Sequence, residues 1–340
     1  MIRLTKYYSI KNYSLAYILL MLLTVAACSK DDDGYRLSPG GGGNSGEVTD
    51  AEGNNDWVNN PDASRLEVPA IRHGKQYKFI VHKANASNST TEKVVNFCLE
   101  YDSASYHSRW VAFRFDDKTR VVANGVGRSE AWGVDPDLPE ACQLPTTAYS
   151  GKGYSRGHLC ASFDRQNSTE ANQQTFYMSN MSPQLYDFNG GYWATLEQGI
   201  QKWARSKTNG EYKYKNIYVC KGGTIKSNQI KTSFNTYNVM GRSVKVPVPA
   251  YYYMAILAET RSGSFQAVGF LMEHKNYTDD GGTNYSSSNY PPSTLMKQHA
   301  MSIDQLEDFT GINFFCNLSD AIEEVVESSY ASTQWDWKWK

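Results

Sequence analysis

Tyr154-Ser155-Arg156-Gly157-His158 is the stretch whose reading decides the fold. Downstream come Ser179-Asn180-Met181-Ser182-Pro183-Gln184, then Asn189, Trp193, Leu196 and Glu197. Each block is weak by itself. In this order they describe a site with one histidine base, one asparagine metal ligand and a supporting carboxylate. Histidine suits proton transfer because its pKa lies near neutrality, and Gly157 lets the backbone pass close to its neighbours. The plainer reading of His158 is a packed or surface histidine. His73, His82, His107, His274 and His299 have no comparable context.

Asn189 precedes Gly190-Gly191 and the segment 192–207, where Trp193, Leu196, Ile200, Trp203 and Ala204 form a helical stripe. Two roles are open to it: helix N-cap, or oxygen ligand to Mg²⁺, which keeps most of its waters and accepts few protein oxygens. Glu197 follows eight residues on, about 80° round an uninterrupted helix. It could face the same metal, or be an ordinary solvated carboxylate. Trp193 and Leu196 read as core.

Around this centre, strands are expected at 76–82, 93–99, 110–115, 216–220, 250–258 and 265–271, all rich in Val, Ile, Tyr and Phe. A second helix is expected over 302–310, capped by Ser302 and stopped by Gly311. The segment 279–292, with Asp279-Asp280-Gly281-Gly282 and Pro291-Pro292, reads as long and irregular. The pattern is α+β, with a central, mostly antiparallel sheet flanked by helices.

Residues 1–28 read as a targeting segment. Arg3, Lys6 and Lys11 precede the apolar run 15–27, and Val25-Ala26-Ala27-Cys28 resembles a bacterial lipobox, with cleavage before Cys28 and a lipid on it. The acidic run 31–33 resembles an export tag of surface lipoproteins. Residues 29–64 read as a flexible tether, 65–325 as the folded domain and 326–340 as a C-terminal tail. The address is therefore extracytoplasmic, on the outer membrane of a bacterium. Residues 1–64 hold 5 of the 34 basic and 8 of the 35 acidic residues, so 65–340 are slightly basic. That permits a polyanionic substrate without requiring one. Apart from Cys28, five cysteines remain, an odd number, of which Cys220 and Cys316 are the favoured disulfide pair. No Cys or His spacing suggests a structural zinc.

The run from Tyr154 to Glu197 resembles the DNA/RNA non-specific endonucleases, the ββα-metal, His-Asn type. Arg156-Gly157-His158, Asn180-x-x-Pro183-Gln184 and Asn189, Trp193, Leu196, Glu197 match its motifs, and weaker likeness extends over roughly 70–320. The resemblance implies a ββα-metal fold and Mg²⁺-dependent hydrolysis of DNA and RNA to 5′-phosphorylated products, with Mn²⁺ able to substitute. It implies His158 as general base, Asn189 as direct metal ligand and Glu197 orienting a metal-bound water. It also implies an arginine, best matched by Arg128, at the transition-state charge. Arg156 is a second phosphate-contact candidate, and Asn180 is expected to order the site. Ser155 departs from the family's aspartate, which puts histidine basicity and metal affinity in question.

Two rivals come from other classes. One is a catalytically weak nucleic-acid-binding surface lipoprotein, favoured by Ser155 and the modest charge. The other is a glycan-binding module, suggested by 24 Tyr and 8 Trp.

Overall fold

A computed structural model describes residues 54–149 and 151–339; the targeting segment, Cys28 and most of the tether lie outside them. The strands are β1 (Tyr77–Asn85), β2 (Lys93–Asp102), β3 (His107–Phe115), β4 (Ser155–His158), β5 (Met181–Gln184), β6 (Lys207–Thr208), β7 (Glu211–Tyr212), β8 (Tyr214–Gly223), β9 (Ile230–Val239), β10 (Arg242–Pro249), β11 (Tyr251–Thr260), β12 (Phe265–Glu273) and β13 (Ala300–Met301). Seven build one sheet in the order β1-β2-β3-β8-β11-β12-β13, antiparallel throughout. The helices are α1 (Thr169–Gln174), α2 (Ala194–Arg205), α3 (Ile303–Thr310) and α4 (Asp320–Glu327).

The sheet is buried on both faces, and the period of two along each strand divides its side chains between two cores. On β11, Tyr252, Met254 and Ile256 enter one core while Tyr253, Ala255 and Leu257 enter the other; on β8, Ile217 and Val219 alternate with Tyr218 and Cys220 in the same way. The first core is closed by Leu196, Ile200 and Trp203 of α2. The second is closed by Ile303 and Leu306 of α3 and by Phe314, Phe315 and Leu318. Helices on both faces explain why the strands mix alternating with continuous apolar patterns.

All six expected strands are present, several running longer at one end. The helix expected at 302 begins as foreseen: Ser302 and Gln305 form a reciprocal capping box, and Gly311 ends the helix at φ 63°. Several readings need correction. The hairpin β9–β10 was not foreseen, because Asn, Lys and Ser interrupt its apolar pattern and Pro247 and Pro249 argue against a strand. Within 54–64, expected in the tether, Asn55 and Ala63 are buried against the fold. Asn55 donates to Ala63 O (3.1 Å) and Pro69 O (3.0 Å) and accepts from Ile71 N (2.9 Å). The tail packs too: Trp335 and Trp337 lie in the first core against Trp203, and Trp339 donates to Thr195 O at 3.1 Å. Cys220 and Cys316 form no disulfide. All five described cysteines are free thiols, four of them buried and packed as small apolar groups.

Candidate active site

Residues 116–213, between the neighbouring strands β3 and β8, carry the motif blocks. β4 pairs antiparallel with β5, so Ser155 stands opposite Gln184, Arg156 opposite Pro183, Gly157 opposite Ser182 and His158 opposite Met181. Two blocks separated in sequence are thus strand neighbours. A β-carbon on Gly157 would stand 2.1 Å from Gln184 Oε1, so the fully buried Gln184 side chain lies across the space a larger residue would need. Ser155 donates its hydroxyl to Gln184 O at 3.0 Å, which ties the two strands at the point where the family aspartate would sit.

Asn180 lies beneath this pair rather than at the cleft. It is fully buried, accepts from Cys160 N (2.8 Å) and donates to Cys160 O (2.9 Å) and Thr175 O (2.7 Å). Its own carbonyl accepts from Leu159 N at 3.0 Å. The residue therefore fixes the backbone that leaves His158.

After β5 a helical turn, Tyr186–Phe188, runs without a break into a π-helical turn, Asn189–Trp193, and then into α2. Asn189 has helical dihedrals (φ −60°, ψ −47°), which removes the capping role. The π turn also changes the angular relation of Asn189 to Glu197 from that of an uninterrupted helix; such turns recur at functional sites. Gly190 and Gly191 admit the irregular segment over this turn. A β-carbon on Gly191 would meet the Tyr285 carbonyl at 2.8 Å.

Arg128, Trp132, Ser155, Arg156, Tyr186 and Asn189 border an open cleft of about 250 Å³. The Arg156 guanidinium lies 3.6 Å from the Trp132 ring centroid and donates to Thr146 O at 2.9 Å. Arg128 lies over the Phe176 ring and pairs with Glu130. Two guanidiniums and an amide bordering one cleft suit a phosphodiester. His158 is buried and is not among the residues that border the cleft; it lies edge-on to Trp132, which does, and to Phe176, at 5.7 and 4.9 Å between ring centroids. Its buried Nε2 has no hydrogen-bond partner among the described residues. Burial, and then the Arg128 charge, push the imidazole down to about 3, against a backbone hydrogen bond with Arg156. At neutral pH the ring is uncharged and able to accept a proton.

Glu197 stands apart from these groups, linked to a buried network. Lys221 of β8, with no exposed surface, sets its Nζ 3.1 Å from Asp164 Oδ2 and 3.2 Å from Glu197 Oε1. Burial by itself would lower the lysine's pKa, but Asp164 and Glu197 hold it above its ordinary value. Burial pushes Glu197 up to about 7, against the pull of Lys221 and with a further push from Asp164. One ammonium cannot fully compensate two carboxylates. Asp164 also accepts from Gln201 Nε2 and Ala161 N, and its carboxyl is held below the ordinary range, so Glu197 carries the surplus charge.

Sequence reasoning passed over Lys221 and Asp164, which sit in no motif, and also two bracing histidines. His107 Nε2 lies 2.7 Å from Ser182 Oγ, which meets Tyr252 OH at 2.6 Å, so β5 is held against the sheet. His274 accepts from Leu185 N at 2.8 Å and donates from Nδ1 to Pro249 O at 2.8 Å, which fixes the turn leading to Asn189. Adjacency of these residues arises only on folding. Among the described residues, His82, Asp135 and Asp137 are close enough to be a metal-ligand group. However, His82 turns Nε2 to Asp135 (3.0 Å) and Nδ1 to Asp137 (3.3 Å), so the ring bridges the carboxylates instead of converging with them on one point.

The family model described as DNA/RNA non-specific endonuclease matches residues 76–321. Mouse mitochondrial nuclease EXOG is 26% identical over 265 residues, 76% of this chain and 66% of that protein. Nuclease 1 of Schizosaccharomyces pombe, mitochondrial, is 31% identical over 54% of this chain and 53% of its own. Nuclease C1 of Cunninghamella echinulata is 28% identical over 66% of this chain and 81% of its own. The chain thus spans roughly half to two thirds of the mitochondrial relatives. A chain in the crystal structure of the EndoG/EndoGI complex superposes with a TM-score of 0.52 at 21% identity, covering 69% of this chain and 88% of that one, which is a likeness of fold.

Proposed function

The chain belongs to the DNA/RNA non-specific endonuclease family, and on that premise we propose that it hydrolyses phosphodiester bonds of DNA and RNA, leaving 5′-phosphorylated products. The observation that carries this reading is the joining of β4, β5 and the Asn189 turn around one cleft bordered by two arginines. His158, neutral at working pH, takes the proton of the attacking water at its unpartnered Nε2. Arg128 and Arg156 hold the phosphate and meet the charge that builds on it. Both can donate in the paired geometry that suits phosphate oxygens.

The residues present fit a hard divalent cation such as Mg²⁺ or Mn²⁺. Asn189 borders the cleft, and its amide makes no hydrogen bond with the described residues. An amide oxygen beside a substrate phosphate is a sufficient protein contribution for such an ion. When bound, the cation supplies Lewis-acid stabilisation of the phosphate charge. Glu197 stands apart from the cleft, its carboxylate fixed through Lys221, and could act on such an ion only through an intervening water.

We further propose export and a lipid anchor on Cys28, a reading supported by the sequence 25–28 alone. Mass spectrometry of the cell-derived chain, with Cys28→Ser as control, tests it. An unmodified Cys28 would end it.

Nicking of supercoiled plasmid by the full chain, with Mg²⁺, with EDTA and with His158→Ala alongside, tests the catalytic reading. Metal-dependent cutting that disappears with His158 supports it. Absence of cutting by folded protein in Mg²⁺ and Mn²⁺ would favour the weak nucleic-acid-binding lipoprotein instead.

A further inference from the structure

Helices α3 and α4 meet over the second core, on the opposite face of the sheet from α2. Their contact brings together three carboxylates. Asp304 and Glu307 are one turn apart on α3, and Glu327 is the last residue of α4. A ligand oxygen from each lies within 4.8 Å of the other two. Glu307 Oε1 accepts from Phe314 N at 2.6 Å, which anchors that side chain. Glu327 is only 5% exposed, and its Oε1 has no hydrogen-bond partner among the described residues.

None of the three is paired with a lysine or arginine among the described residues, and the other charged neighbours that bear most on them, Asp308 and Glu323, are also acidic. Like charges one turn apart destabilise a helix. A carboxylate at a helix C-terminus opposes the macrodipole as well. A buried carboxylate with no partner is costly, and the group as a whole asks for a counter-ion.

We propose that Asp304, Glu307 and Glu327 form a cation site, separate from the cleft, for a hard divalent ion that clamps α4 onto α3. All three donors are carboxylate oxygens, with no imidazole or thiolate, and this set suits Ca²⁺, which tolerates flexible geometry and completes its shell with water. The clamp bears on the C-terminal segment, because α4 leads directly to Trp335 and Trp337, which pack against Trp203 of α2.

Calcium alone is the probe, titrated calorimetrically into the EDTA-treated full chain carrying Asn189→Ala, so that the cleft ligand is absent. The expected result is one Ca²⁺ bound per chain and a thermal midpoint raised by about 3 °C or more at saturation. Adding Glu327→Gln should abolish both, while raising the calcium-free midpoint by removing an uncompensated charge. Asp304→Asn, at an exposed position, should weaken binding roughly tenfold without loss of fold. Absence of binding to the folded Asn189→Ala chain would overturn the proposal. So would binding that survives both Glu327→Gln and Asp304→Asn.

Discussion

Lys221 and Glu197 face each other across the first core, Nζ to Oε1 at 3.2 Å, and the same ammonium lies 3.1 Å from Asp164. This arrangement sets two carboxylates against one ammonium, and only one of the two, Glu197, is a candidate for the proposed chemistry. Glu197→Gln leaves Lys221 neutralised by Asp164, so it should reduce cleavage about 10²-fold while moving the thermal midpoint little. Lys221→Met leaves a buried carboxylate unpaired and should cost about 3–5 kcal/mol. Plasmid nicking beside scanning calorimetry reads both. Equal destabilisation by the two changes would show that Glu197 carries no surplus charge.

The Arg128 charge bears on His158 and lowers the imidazole's pKa. Removing a positive neighbour raises the imidazole's pKa, so Arg128→Ala should move the acid limb of the pH–rate profile to higher pH. In the unsubstituted chain the histidine, held down to about 3, should impose no loss of kcat/KM between pH 7 and pH 5. The profile of each protein checks this; an unmoved acid limb in the variant would mean that Arg128 does not act on His158.

Gly157 and Gln184 should show a strong coupling. Gly157→Ala forces its methyl group into the Gln184 side chain and should cost about 1–3 kcal/mol. In a Gln184→Ala background the same change should cost clearly less. A double-mutant cycle by urea unfolding measures the difference, and additive effects would refute the clash.

Acid should destabilise the fold through buried neutral histidines. Burial pushes His107 and His274 down to about 4 and His158 to about 3, below the ordinary value of 6.5. Folded pKa values lower than unfolded ones mean stability that is present above pH 6.5 and lost as pH falls towards 4. The slope approaches about 1.4 kcal/mol per pH unit for each such histidine. Urea unfolding at pH 7, 6 and 5 should show this decline, and His107→Gln should flatten it. A decline of the same steepness in that variant would exclude His107 as a source.

Free thiols predict indifference to reductant. With Cys98, Cys142, Cys160, Cys220 and Cys316 unpaired, dithiothreitol should leave the thermal midpoint unchanged. Thiol titration of the non-reduced, denatured chain carrying Cys28→Ser should find all five. A marked fall of the midpoint on reduction would restore the disulfide.

The six long strands, the capped α3 and the apolar stripe of α2 were readable because burial imposes a local period: two along a strand, about 3.6 along a helix. The motif blocks were readable because they keep their order along the chain. The β9–β10 hairpin was not, since one polar-rich strand and two prolines obscure the alternation. Nor was the packing of Asn55 or Trp335, because their burial depends on segments remote in sequence, Asn317 for the first and Trp203 for the second.

The sequence by itself determined the fold class and the positions of six strands of the main sheet, and it nominated the residues of the candidate site: His158, Asn189, Arg128, Arg156 and Glu197. Their types and local spacing are written in the chain. Only the tertiary structure decided that Asn189 begins a π turn, that Asn180 serves the backbone beyond His158, and that Glu197 answers to Lys221 and Asp164. Those relations are contacts between remote segments, and the desolvation that tunes His158 and Glu197 exists only once the two cores have closed around them.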